Sequence, residues 1–184
     1  MRVELTVVPS LDVEGQVALD ELAAPLAVVI VELAQAAAAG LALRDADAGF
    51  ARVPSEQRAL LSTRAQTLPE LVATVVERWD AVAALAPLLD GLTVGEQVLL
   101  ALVTAPELDR ATARTLRRVL DEPVLTVGAL CDLASDDLEA RLALLARLDG
   151  AAPLVRSGAL IVTSPVASAP IAVAPWVVAA VRAA

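Results

Sequence analysis

Chemistry in this chain has to come from carboxylates, guanidinium groups and one thiol. Of its 184 residues, 23 are Asp or Glu, all 14 basic residues are Arg, His and Tyr are absent, and Cys131 is the single cysteine. Without Lys or His, no side chain has an ordinary pKa near neutrality, forms a Schiff base, or supplies the ammonium of a GxxxxGK[ST] phosphate loop. Cys131 has no imidazole to deprotonate it and sits in an apolar helical run, GALCDLA, so it reads as a small core residue. Asp136-Asp137 has the makings of a catalytic carboxylate pair, yet capping a helix start explains both residues and no partner base is evident. Asp45-x-Asp47 with Glu56 occupies the first, third and twelfth positions of a calcium loop. Its sixth position, which needs Gly, is Phe50, its fifth is Gly49 rather than a ligand, and Pro54 interrupts the exit, leaving a solvated acidic loop. Arg110, Arg114 and Arg117 fall on one helical face with Arg118 beside them. Such a stripe grips an acidic partner or a nucleic-acid backbone, or is a solvated face whose last turn suits Arg. No catalytic, cofactor-binding or metal-binding residue is assigned, no cofactor is expected, and the chain reads as a non-enzyme.

The elements that must position these groups are mostly helical. Ala, Leu and Val make up more than half of the chain, enough apolar material for a core without disulfides or metals. Residues 2–8 alternate like a half-buried strand until Pro9. A helix is expected over 13–39, kinked or split at Pro25 and stopped by Gly40, then a loop over 44–55 and helices over 56–66 and 69–89. Thr93-Val94-Gly95-Glu96 spells a capping box opening a helix to about Thr104. After Pro106 a second helix runs to about Asp121. Thr126 caps a third to about Ala134, and Ser135 or Asp136 a fourth to about Leu148, whose buried face is read as Leu138, Leu142 and Leu145. Two β-prone runs, 159–163 and 170–174, form a hairpin, and a helix over 175–183 closes the chain. Trp79 and Trp176 are read as core anchors. Residues 22–43 are long enough to span a bilayer but carry Glu32 and Gln35 centrally, so they read as a buried helix. The first residues alternate rather than form an apolar signal core, which makes the cytoplasm the default compartment.

The runs APELDRATARTLRRVLDEP, LTVGALCDLASDDLEARLALLARL, APLVRSGALIV and APIAVAPWVVAAV occur in this order. Together they resemble the winged-helix domain that precedes the motor in a family of bacterial AAA-type ATPases, some found beside contractile injection systems. The most specific elements are Ala105, Pro106, Glu107, Leu108 and Asp109, the helix start Thr126-Val127-Gly128, and Pro153-Leu154-Val155. The resemblance covers residues 91–184, about half of the chain, and implies a winged-helix domain whose wing is the hairpin; residues 1–90, read from their own pattern, form a mostly helical region with a short first strand. In that family a nucleotide-binding domain follows. Here the sequence stops at Ala184 and holds no Lys, so ATP hydrolysis is not assigned to it, and the chain reads as an amino-terminal piece or a stand-alone relative.

The function expected from this is a protein-interaction domain that docks a protein partner or an adjoining motor domain. A small winged-helix DNA-binding regulator is the alternative. The helix that would enter a DNA groove, 136–148, sets Arg141 and Arg147 against Asp136, Asp137 and Glu139, with Leu and Ala elsewhere, and a chain of net charge −9 repels phosphate. Neither nucleic acid nor a membrane is therefore the expected partner. Residues 153–184 hold Arg156 and Arg182 and no acid, so repulsion is weakest there. Partner contact is assigned to Arg110, Arg114 and Arg117 and to the hairpin residues Leu160, Ile161, Val162, Ile171 and Val173.

Overall fold

The computed structural model describes residues 25–79, 82–135, 137–164 and 166–184. The strand expected over 2–8 and the helix expected before Pro25 lie outside them. The described chain is mainly helical with one small antiparallel sheet. Helix α1 (Leu26–Asp47) is followed by α2 (Ser55–Gln66), α3 (Leu68–Trp79), α4 (Ala86–Leu89), α5 (Val94–Leu108), α6 (Arg110–Leu120), α7 (Val127–Ala134), α8 (Leu138–Ala146) and α9 (Pro153–Arg156). Strands β1 (Leu160–Val162) and β2 (Ile171–Val173) and helix α10 (Pro175–Ala183) complete the chain.

Helix α1 is the hub. It starts directly after Pro25 and packs against α2, α3, α5, α6, α7 and α10. Its Ala36–Ala39 run is buried, because methyl side chains let neighbouring backbones come close. The expected stop at Gly40 is corrected: the helix continues to Asp47, so the loop shrinks to residues 48–54. A Cβ placed on Gly40 would meet the Cβ of Ala65 on α2 at 4.0 Å, an ordinary contact, so packing does not require glycine there, and burial of α1 outweighs its roughly 1 kcal/mol propensity cost. Among the described residues α1 is the one helix long and apolar enough to cross a membrane, and Leu26, Val29, Ile30 and Leu33 on it lie in the protein core.

The helix expected over 69–89 also breaks. It ends at Trp79, and short-range bonds from the Val82 N–H to the Trp79 carbonyl (2.9 Å) and from the Leu85 N–H to the Val82 carbonyl (2.8 Å) fold the chain into a turn. That turn keeps Trp79, Val82 and Leu85 buried together. Pro106 does not end α5, which runs on to Leu108; only its last turn lies beyond the proline, so a single helical hydrogen bond is lost. One continuous hydrophobic cluster joins α1, α3, α5, α7, the strands and α10, so the parts before and after residue 90 share a core.

In the sheet, Leu160 pairs with Val173, Ile161 with Ala172 and Val162 with Ile171. The stretch before α7 adds to the far edge of β2 through a bridge between Thr126 and Pro170, with the Ile171 N–H donating to the Leu125 carbonyl at 3.0 Å. Trp79 is fully buried, as expected of a core anchor. Trp176 is corrected: it lies 44% exposed at the first turn of α10, whose core contacts are Val177, Val178 and Val181.

Candidate functional site

Helix α8 is capped at its own start and held onto the body by two ion pairs. Its N-cap is Asp137, whose carboxylate accepts from the Ala140 N–H at 2.8 Å, displacing the expected caps Ser135 and Asp136, the latter outside the described residues. Arg141 forms an ion pair with Asp132 on α7. Arg147 places Nη1 3.7 Å from the Glu96 carboxylate on α5. Glu96 is itself fully buried in the capping box expected from sequence, accepting from the Thr93 N–H at 2.8 Å and the Thr93 hydroxyl at 2.7 Å. Behind α7, the Arg44 guanidinium donates to the Asp132 carbonyl at 2.6 Å, binding the end of α1 to the last turn of α7. Burial raises the Asp132 carboxyl above its ordinary range, and the guanidinium groups of Arg141 and Arg44 offset only part of that.

Packing against the core decides which leucines of α8 face inward. Leu148, just past the helix, is buried and Leu144 and Leu145 are half-buried, whereas Leu138 and Leu142 are 68% and 57% exposed. The buried face expected at Leu138, Leu142 and Leu145 is thus corrected: Leu144, Leu145 and Leu148 pack on the core, which leaves the 138/142 side outward. Leu138, Leu142 and Ala146 form an outward apolar stripe at four-residue spacing. Next to its start Phe50, 86% exposed, and Leu138 line one shallow pocket of about 360 Å³ with Arg44, Asp45 and Asp137. Sequence reading missed this surface because α8 carries leucine on every side and its period does not say which side is covered. Phe50, the only Phe, was read as the residue that breaks a calcium-loop pattern and not as an apolar surface group.

The residues singled out beforehand fall elsewhere. Ala105, Pro106, Glu107, Leu108 and Asp109 form the junction of α5 and α6: Ala105 is buried, the Glu107 carbonyl accepts from Arg182 of α10 at 2.7 Å, and Asp109 caps α6. Hydrogen bonds from the Thr112 hydroxyl and N–H lower the Asp109 carboxyl below its ordinary value. Arg110, Arg114, Arg117 and Arg118 are exposed, and none is within 4.0 Å of a carboxylate among the described residues. Of the hairpin residues, Leu160, Ile171 and Val173 are buried in the chain's own core, Val162 is half-buried and Ile161 is 52% exposed.

The structure does bring some of these sets together. A groove of about 290 Å³ is lined by Pro106 and Glu107 from the α5–α6 junction, Leu116 and Arg117 from α6, and Ile171 and Val173 from β2. Cys131 lies away from both surfaces, buried, its thiol pushed up to about 11 first by desolvation and then by the Asp132 charge. No group of three potential metal-ligating side chains occurs among the described residues.

No family model, curated protein or solved structure matches this chain.

Proposed function

We propose that this chain is a non-enzymatic protein-docking domain, a winged-helix module of the kind that precedes the motor of AAA-type ATPases, working in the cytoplasm without nucleic acid or membrane as its partner. The observation that carries this reading is α8. If α7 and α8 are the tandem helices of a winged helix and the β1–β2 hairpin its wing, α8 is the element that would meet DNA, and it presents Leu138, Leu142 and Ala146 outward. Its charged groups are largely committed elsewhere: Asp137 to the cap, Arg141 to Asp132, and Arg147 beside Glu96. Base reading needs Arg, Asn or Gln at such positions, and phosphate contact needs unpaired basic groups. An exposed leucine stripe on a rigidly held helix suits a protein groove instead.

The second reading, a DNA-binding regulator, draws on the exposed arginines of α6. A photo-reactive benzoylphenylalanine at position 142, irradiated in the cell that makes the protein, separates the two. Docking gives protein adducts whose yield collapses on Leu138→Glu. Adducts to nucleic acid, together with duplex binding that weakens steeply between 50 and 200 mM salt, would establish the regulator and reject the docking domain.

A further inference from the structure

We propose that a cavity beneath α8 binds a small, uncharged apolar molecule, the size of one aromatic ring or a short alkyl chain. The cavity, about 220 Å³, lies where α1, α3, α5, α7 and α8 meet, and it shares no lining residue with the Phe50 pocket or the β2 groove. Its depth is the first observation. Leu33, Ala37, Leu102 and Leu133 form a floor in the core, each no more than 3% exposed. Val98, Ala134 and Leu144 are half-buried and form the rim, so the cavity leads from the surface into the core. Small residues leave the space: Ala37 and Ala134 reach only as far as a methyl, and Gly95 has no side chain. A Cβ placed on Gly95 meets no atom nearer than Leu144 Cδ2 at 3.6 Å, so α5 and α8 are not in close contact there. Interiors otherwise pack like organic crystals, with few voids larger than a water molecule.

The chemistry of the lining is the second observation, and it selects the occupant. Every lining side chain is hydrocarbon, whereas the Phe50 pocket and the β2 groove both carry carboxylates and arginines. A water held in a cavity needs about two to four polar partners, and no lining side chain offers one. A charged group would give up its hydration with nothing in return. An apolar solute loses no hydrogen bond and supplies contacts to methyl groups that otherwise face a gap. Volume is the third observation. Pockets for drug-sized ligands begin at about 300 Å³, and an apolar cavity of about 150 Å³ holds benzene, so this one suits a single ring or a chain of similar bulk. Leu144 belongs to α8, so the occupant packs against the helix that carries the outward leucines.

The probe is fluorobenzene, titrated into the full chain carrying isotope-labelled Leu and Val methyl groups and followed by NMR. Saturable shifts are expected at Leu33, Val98, Leu102 and Leu144, and not at the outward Leu138 and Leu142. Ala134→Leu and Val98→Phe each fill the cavity from its rim and should weaken binding about tenfold or more. Ala143→Leu, on the exposed side of α8, should change it by less than about twofold. Benzylammonium, which carries a ring of the same size and a charge, should leave those methyl groups unshifted. Shifts centred on Leu138 and Leu142, unchanged affinity in a folded filled variant, equal binding of benzylammonium, or no saturation would each overturn the proposal. If a filled variant does not fold, the methyl map and the charged probe still decide the outcome on the unaltered chain.

Discussion

Leu142→Ala tests whether the outward stripe of α8 is open in solution. A Leu moved fully out of water contributes about 1.5–3 kcal/mol. Leu142 is 57% exposed, so less than half of that is at stake, and Ala has a slightly better helix propensity. The expected cost is about 0.5–1 kcal/mol. Leu130 on α7 has no exposed surface, and Leu130→Ala should cost about 2–5 kcal/mol through lost burial and the cavity left behind. Urea unfolding followed by tryptophan emission compares the two at equal slope, since Trp79 is buried. A loss above about 2 kcal/mol for Leu142→Ala would refute the open stripe. A loss that grew with protein concentration would show a second copy covering it.

Further outcomes are expected from groups described above. Thr93→Ala and Glu96→Ala should each cost about 1 kcal/mol, and the double substitution should fall short of their sum by a similar amount; strict additivity in a thermal double-mutant cycle would mean the capping box does not act as a unit. Cys131 should resist maleimide at pH 8 until the chain unfolds. Its raised thiol pKa favours the neutral form in the fold, so stability should hold below about pH 9 and decline toward about 11; a flat stability curve over that window in urea titrations contradicts it. Mg-ATP added to the isolated chain should give no saturable heat by calorimetry, since no Lys is present to hold its phosphates; micromolar binding would refute this expectation.

Local chemistry was legible in the sequence and tertiary choice was not. Thr93 with Glu96, and Thr126 ahead of an apolar run, declare helix starts because capping involves only a few adjacent residues. The hairpin was equally plain, its two β-prone runs being separated by small residues and Pro. Gly40 and Pro106 misled because each lies in or beside a stretch whose burial outweighs a local penalty. The addition of Leu125 and Thr126 to the sheet was missed because two residues carry no period. The groove was half visible: the arginine stripe and the hairpin were both read, yet which hairpin residues face the core is settled by α5, far off in sequence. Leu138 and Leu142 could not be sorted from Leu144 and Leu148 without knowing which side the core covers.

The central position of α1 sets a problem for synthesis on the ribosome. Roughly sixty residues separate the end of α1 from the end of α5, its first partner with a long buried face. At about 5–20 residues per second, that leaves α1 waiting on the order of 3–12 s after it emerges. Among the described residues, the earlier partners are α2, which buries no residue of its own, and α3. During that interval a 22-residue apolar helix presents nascent-chain factors with the same signal as a membrane insert. Glu32 and Gln35, with Gln35 later donating from α1 to the Thr112 hydroxyl on α6, are the polar marks within it that weaken the signal until folding removes it.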